Sequence, residues 1–562
     1  MGENKLIGTL IGNTGDPNDL KIALKDSFVA RRGEFVRIKH QERKSEREID
    51  VLGRIVSISR NNILYNSDMG EGLNDLEMLP GAQITGENLY GTIELVGYKE
   101  PATKEIKIPR RPLDPGTKVF GVDYEFLSRF YEFNEETSIH IGNLIGYERG
   151  ENVVPVYMDV NTLATEHLAV LAMTGAGKSY TVGRIIERLV AQMNGSVVVF
   201  DPHGEYGKAY KNGKVHFNDN LDDIDDPRDQ EKIPEIQEKF KKLIDAGGGI
   251  EVYTPQVDSF NLKYEGKNKQ LALPFDRFEM DDFSEILPGL TEPQQRVLDV
   301  AIRYWKYKYP HPPRDIESLR ELLAGDLEEL KSWQELTSAE SRALSKRSAA
   351  VASMKLNRVI NEAQSFYNDA IGEPTDVYDM IGESGADNGR LVIVDLQGLS
   401  DNAKQIITAL VSSEILRAAT DKRKQTRPSF LVYEEGHNFA PRKSDAISLK
   451  MIKRIAGEGR KFGIGFAIIS QRPSKLDPDV TSQCNTIITM RIKNPDDQRF
   501  IVKTSDMFSK SDIEELPSLS TGEALICGRS IPAPLLVKVG TKALQHGGEA
   551  PAVLKEWGSF NG

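Results

Sequence analysis

The stretch Leu168–Ala169–Val170–Leu171–Ala172–Met173–Thr174–Gly175–Ala176–Gly177–Lys178–Ser179 constrains the fold of this chain more than any other. A short apolar run passes into a loop of small residues, and a Lys-Ser pair then opens a helical pattern. Behind Ser179, the residues Thr181, Val182, Ile185, Ile186, Leu189 and Val190 recur at the spacing of a helix packed on a sheet. Strand, small-residue loop and helix in that order form a cradle for a nucleotide polyphosphate, held by loop N–H groups and the positive helix N-terminus. Thr174, Gly175, Ala176, Gly177, Lys178, Ser179 and Tyr180 are the expected nucleotide-binding residues. Lys178 reaches the β/γ-phosphates and the Ser179 hydroxyl ligates Mg²⁺. The match to G-x-x-x-x-G-K-[ST] departs only at Ala172, which stands in place of the first glycine.

A chain of 562 residues is long enough for more than one domain, at roughly 100–200 residues each. With 39% hydrophobic and 28% charged residues its composition is that of an ordinary globular protein. No apolar run approaches the ~18 residues that span a bilayer. No charged-then-apolar leader opens the sequence either, so a cytoplasmic protein with no membrane partner is expected. Cys484 and Cys527 sit in apolar runs and are expected as buried thiols rather than metal ligands. A net charge of −12, from 72 basic and 84 acidic residues, excludes a wholly basic nucleic-acid coat. It leaves room for a ring that is acidic outside and basic along its channel.

From Lys5 to about Met158 the sequence reads as β-structure. Leu6–Ile11, Phe35–Ile38, Val51–Val56 and Gly91–Val96 are short runs separated by Gly- and Asn-rich turns, the pattern of a small barrel. Ser196–Phe200 is a β-branched run ending in Asp201, and Asp201, His203 and Glu205 are expected to project near the nucleotide or a neighbouring subunit. Residues 219–242 are mixed-charge and read as a surface excursion, and residues 275–379 as mostly helical. Arg303–Tyr309 alternates basic and aromatic residues. That alternation suits nucleic acid, but it fits better an amphipathic helix end whose lysines extend to solvent.

The later strands carry the chemistry. Ser429–Tyr433 is apolar and ends in Glu434 and Glu435. In such a pair one acid anchors the Mg²⁺ shell and the other polarises the attacking water. Ile464–Ser470 delivers Gln471, an amide placed to sense the γ-phosphate. Arg460 lies on a glycine-flanked turn from which a finger can enter a neighbour's site. The tail from Gly540 reads as an arm.

Together these motifs resemble the HerA branch of the HerA/FtsK ring ATPases over nearly the whole chain. The carriers are the phosphate loop Thr174–Ser179, Asp201–Tyr206, the acid pair in Tyr433–Asn438, Glu458–Gly463 and Ser470–Pro473. The resemblance implies an α/β fold with a RecA-like P-loop ATPase core. It places an N-terminal barrel at 1–158, the core at 159–274 and 386–540, a helical insertion at 275–385 and a C-terminal arm at 541–562.

It further implies a homohexamer that uses ATP and Mg²⁺ to drive double-stranded DNA through a central pore. Lys178 and Ser179 bind phosphate and metal, Glu434 supports the metal, Glu435 is the catalytic base, Gln471 is the sensor and Arg460 acts in trans. Family members pair with a nuclease of the NurA kind or with sirtuin-like or nuclease effectors of anti-phage systems, docked on the barrel. The acidic balance and long insertion favour the second group. The alternative is an ATP-switched hexameric scaffold that assembles such an effector. Many relatives carry a basic residue ahead of the histidine matching His167, whereas this chain has Glu166.

Overall fold

Short alternating runs bury one face each and must find partners, and here the first of them close on one another. The computed structural model of the chain describes residues 5–25, 30–43, 47–62, 87–147, 153–207, 216–218, 224, 226–245, 249–255, 269–273, 275, 278–311, 315–325, 327–363, 375–385, 388–423, 425–443, 446–505 and 508–545. Strands β1 (Leu6–Ile11), β2 (Leu20–Leu24), β3 (Phe35–His40), β4 (Ile49–Asn62), β5 (Glu87–Lys99), β6 (Ile106–Lys107) and β7 (Lys118–Gly121) form an antiparallel sheet. Its order is β2-β1-β7-β3-β4-β5, and β5 returns to β2, so six strands close a barrel with β6 appended to β5. Ile22, Val36, Ile38, Val51, Ile55, Ile93 and Val119 fill its interior.

The second sheet has twelve strands: β8 (Ser138–Leu144), β9 (Pro155–Asp159), β10 (Leu168–Leu171), β11 (Ser196–Asp201), β12 (Ile250–Thr254), β13 (Lys269–Gln270), β14 (Arg390–Asp395), β15 (Ser429–Tyr433), β16 (Ile464–Ser470), β17 (Thr486–Thr489), β18 (Glu523–Gly528) and β19 (Leu535–Val539). Their order is β13-β12-β14-β11-β15-β16-β10-β17-β18-β19-β8-β9, parallel from β13 to β17 and antiparallel beyond. Parallel strands are buried on both faces. Accordingly, Val198 and Phe200 of β11 enter one hydrophobic core while Val197 and Val199 enter the other.

The helices that bear on function are α1 (Lys178–Ala191), α2 (Pro227–Asp245), α3 (Met280–Ile286), α4 (Glu292–Lys308), α5 (Ile316–Ala324), α6 (Lys346–Ala363), α7 (Asp401–Thr420) and α8 (Ile447–Glu458). Helices α3 to α6 lie in the stretch 275–379 that reads as mostly helical. α4 opens with the capping box of Thr291 and Gln294, with proline in its first turn. At its far end Lys306 pairs with Glu279 at 2.6 Å and Lys308 with Glu329 at 2.7 Å, while Trp305 is buried. The basic-aromatic run is therefore a helix end with satisfied cations.

Three expectations need correction. β8 and β9 belong to the large sheet, because Ile139, Ile141, Val156 and Met158 pack in the same core as Val182 and Ile185 of α1; the hydrogen-bonded barrel ends at Gly121, ahead of the boundary at 158. The mixed-charge stretch is no excursion where it is described: α2 buries Ile233, Ile236, Phe240, Leu243 and even Asp229. Residues 219–223 and 225 of that stretch lie outside the described residues. The tail's start is likewise no free arm, since Ala543 and Leu544 are buried, while residues 546–562 lie outside the described residues.

Barrel and core meet through a buried ion pair. Arg54 of β4 donates to Asp512 at 2.5 Å, and Ser511 donates to Glu94 of β5 at 2.6 Å.

Candidate nucleotide site

The strand order brings four chain turns together. β16 lies between β10 and β15, and β17 flanks β10 on the other side. The loops that follow their carboxyl ends therefore converge, as parallel sheets place their ligand sites. Ala172 is buried and its N–H still bonds to the Ser470 carbonyl at 3.2 Å. The missing glycine thus costs nothing, because this position continues the strand. The sharp turn falls later, at Gly177, whose φ of +101° lies in the left-handed region.

Lys178 opens α1 with its side chain between two acids. Its ammonium donates to Glu434 Oε1 and, at 3.3 Å, to Glu435 Oε1. Ser179 Oγ donates to the same Glu434 oxygen at 3.4 Å, and the Tyr206 hydroxyl donates to Glu434 Oε2 at 3.1 Å. Thr174 donates to the Gln471 side-chain oxygen, so that amide touches the phosphate loop. Thr174, Lys178, Ser179, Glu434, Glu435 and Gln471 are thus brought together as the sequence suggested. Gly175 and Ala176 form the loop between them, and Gly522 N–H bonds to the Ala176 carbonyl at 3.1 Å. The Tyr180 hydroxyl faces away, accepting the N–H of Lys542 in the tail at 2.9 Å.

The cluster is short of positive charge. Lys178 stands against Glu434 and Glu435, with Glu205 close by. Burial pushes the Glu434 carboxyl up to about 7, against the pull of Lys178 and with help from Glu205 and Glu435. Burial also opposes the charge on Lys178, but Glu434 and Glu435 outweigh it and hold the ammonium above the usual lysine value. Oε2 of Glu205 and Oε2 of Glu435 are buried with no hydrogen-bond partner among the described residues. An excess of oxygen donors with two orphaned acceptors suits a hard divalent cation.

Asp201 has a different task from the one expected. Fully buried, it accepts N–H bonds from His203, Gly204 and Glu205 on one oxygen and from Tyr206 and Gly207 on the other, at 2.9–3.4 Å. It builds the turn that carries Tyr206 to Glu434 and has no oxygen left for a ligand. Tyr206, bonded to Glu434, and Glu205 beside it are what this run contributes to the site.

Arg460 lies elsewhere. It sits on the turn before β16, and its guanidinium pairs with Glu166 at 3.1 Å. Glu166 also pairs with Arg529 at 3.3 Å. Glu166 is buried, while the two arginine side chains are 63% and 67% exposed. The seven residues of β16, at about 3.3 Å each, separate this turn from Gln471 by roughly 20 Å.

A second polar cluster lies further along α1. Arg184 and Arg188 both donate to Asp229 Oδ1, at 2.8 and 2.6 Å, and Thr541 N–H takes Oδ2 at 2.8 Å. His140, Asp226 and Asp229 bring ligand-type atoms within 4.8 Å of one another. The guanidiniums, and Asn143 on Asp226 at 3.0 Å, occupy the positions a metal would need.

A lysine on a phosphate loop, an acid pair ending the strand beyond its neighbour and an amide between them define a P-loop ATPase on a RecA-like core. Residues 139–415 match the model of the HerA helicase central domain, and residues 7–101 that of the HAS barrel domain. The chain is similar to the HerA helicases over its barrel and nearly half of its length beyond. The DNA double-strand break repair helicase HerA of Pyrococcus furiosus is 27% identical, covering 93% of this chain and 92% of its own. The protein of the same name from Sulfurisphaera tokodaii is 26% identical, with 98% and 96% covered. Among solved structures, the plasmid coupling protein TrwB with a non-hydrolysable ATP analogue aligns with a TM-score of 0.48 at 14% identity, over 77% of this chain and 95% of that one. Among the described residues, no helix is long and apolar enough to cross a membrane.

Proposed function

We propose that this chain is an ATP-driven motor that moves double-stranded DNA through the pore of a homohexameric ring and works with a nuclease or other effector docked on the barrel. The observation that carries the reading is the division of the machinery between two ends of one sheet. Lys178, Ser179, Glu434, Glu435 and Gln471 gather at the carboxyl ends of the strands. Arg460, roughly 20 Å away, is out of reach of its own Lys178 and exposed enough to serve the site of a neighbouring copy. The relatives named for DNA repair support the choice of DNA as the track.

In this reading Lys178 and the loop N–H groups bind the β/γ-phosphates. Ser179 and Glu434 would hold Mg²⁺, which would supply charge neutralisation at the phosphates. Glu435 takes a proton from water through its free Oε2. The water oxygen then bonds to the γ-phosphorus as the bond to the ADP oxygen breaks. Gln471 reports the γ-phosphate to the loop through Thr174, and Arg460 of the next subunit stabilises the transferring group.

Mixing tests the division. Lys178→Ala lacks a working nucleotide site but keeps its arginine, and Arg460→Ala has the reverse defect. Each alone should be inactive, and mixed rings should regain DNA-stimulated ATP hydrolysis. Mixtures as inactive as their parts would overturn the shared site. Hydrolysis that ignores duplex DNA in the pure protein and with its partner would instead favour the ATP-switched scaffold.

A further inference from the structure

The acid turn and the sensor turn are joined by one imidazole. Gly436 lies so close to β16 that a Cβ there would come within 2.3 Å of Ile468 Cγ1. The turn Gly436–Asn438 is therefore pressed onto the strand that ends in Ser470. Glu435, just before it, is held at φ +52°, a left-handed conformation that costs a non-glycine residue about 1 kcal/mol or more. From this turn His437 Nδ1 reaches two oxygens, Ser470 Oγ and Glu435 Oε2, each at 3.2 Å. Ser470 Oγ also accepts the N–H of Arg472 at 3.0 Å. Arg472 follows Gln471, the residue bonded to Thr174 of the phosphate loop.

A carboxylate has no proton to give, so a bond between Nδ1 and Oε2 forms when Nδ1 carries the ring proton. Burial holds His437 below the usual histidine value; Glu435 pulls the other way, while Arg472, Lys178 and His203 add to the fall. A ring with its proton on Nδ1 has two acceptors for it. The aligned bond runs to Ser470, and Oε2 of Glu435 is left without an aligned donor.

We propose that His437 is the positioning residue that switches Glu435, by giving its single Nδ1 proton either to Ser470 or to the carboxylate. With the proton on Ser470, Oε2 is open to a water. With the proton on Oε2, the carboxylate is engaged and hydrolysis stops. The sensor turn sets the choice, because Gln471 and Arg472 move with Ser470. This inference rests on Glu435 being the base.

Steady-state ATP hydrolysis by the full chain with Mg²⁺ tests it. Ser470→Ala leaves the imidazole only the carboxylate to bond, and kcat should fall at least 10-fold with KM for ATP within twofold. Adding His437→Ala should release the carboxylate and restore kcat to within threefold of the unaltered chain. Adding His437→Asn instead, which keeps a donor near the Nδ1 position, should leave the defect in place. A lost core contact would not be repaired by removing a second side chain. Ser470→Ala with kcat within twofold of the unaltered chain, or a His437→Ala double variant as slow as Ser470→Ala, would overturn the switch and leave the base untouched. Undiminished hydrolysis by Glu435→Gln would overturn the base itself, and the switch with it.

Discussion

Helix α1 carries two buried charge clusters of opposite character. At its first turn Lys178 faces two directly bonded carboxylates, with a third nearby, and two oxygens have no hydrogen-bond partner among the described residues. One and a half turns on, Arg184 and Arg188 share Asp229, whose second oxygen is taken by the tail backbone. Burial opposes the charge on Asp229, yet Arg184 and Arg188 and the bond to His140 hold its carboxyl far below the usual range. The second cluster is complete and holds the fold together; the first is incomplete, and what would complete it is a polyphosphate with its metal. Both contain acids and bases at hydrogen-bond distance. What separates a site from a strut is the unsatisfied remainder, not the density of charge.

The largest expected effect falls on the incomplete cluster. Glu435→Gln should lower the rate of phosphate release by about 10²–10⁴-fold, the usual contribution of a general base, while ATP titration still shows binding. The complete cluster should respond in stability instead. Asp229→Asn strands two buried guanidiniums and should cost about 3–5 kcal/mol in denaturant unfolding. Lys178→Met should cost less than half as much, because Glu434 can take up a proton, and should abolish tight ATP binding.

The two clusters also predict opposite responses to pH in buffer free of nucleotide and metal. Glu434 has a folded value of about 7 against 4.5 for the free side chain, so between those values the folded state holds the extra proton. Its contribution is full below about 4.5 and is lost as pH rises through 7, up to about 3 kcal/mol. Asp229, shifted the other way, contributes fully above its unfolded value near 3.8, and its share is lost only as pH falls below that. Unfolding midpoints measured from pH 4 to 8 should therefore decline with pH, and Glu434→Gln should flatten the decline.

The smallest effect belongs to the tail. Lys542 pairs with buried Glu187 at 3.6 Å, and burial already raises the Glu187 carboxyl toward its neutral form, against the pull of Lys542. Lys542→Met should change stability by about 1 kcal/mol or less and leave ATP hydrolysis within twofold.

The parts of the site that could be read in the sequence share one property. Glu434, Glu435 and Gln471 follow an apolar strand directly, and Lys178 and Ser179 follow one across a short loop, so strand and ligand are near in the chain. Tyr206 meets Glu434 across 228 positions, and Arg529 meets Glu166 across 363; neither pairing leaves a local trace. Asp201 was misjudged because a carboxylate at a strand end can equally well accept backbone N–H groups. In α2 the charged composition masked a helix whose apolar stripe, from Ile233 to Leu243, was nonetheless present. The barrel was legible from the alternation of its strands, but which strands close it was not, since β5 meets β2 only through the return of a long hairpin.

Strand β16 begins just after Arg460 and ends just before Gln471. In the proposed ring, one rigid rod would have its far end in a neighbour's reaction and its near end in its own. In a closed ring every subunit would contribute such a rod, laid end to end around the circumference. Any axial slip that draws the amide toward a γ-phosphate would withdraw or advance the guanidinium next door by the same amount. The order in which the six sites fire would then be a matter of mechanical phase, carried around the ring by a part that never touches DNA.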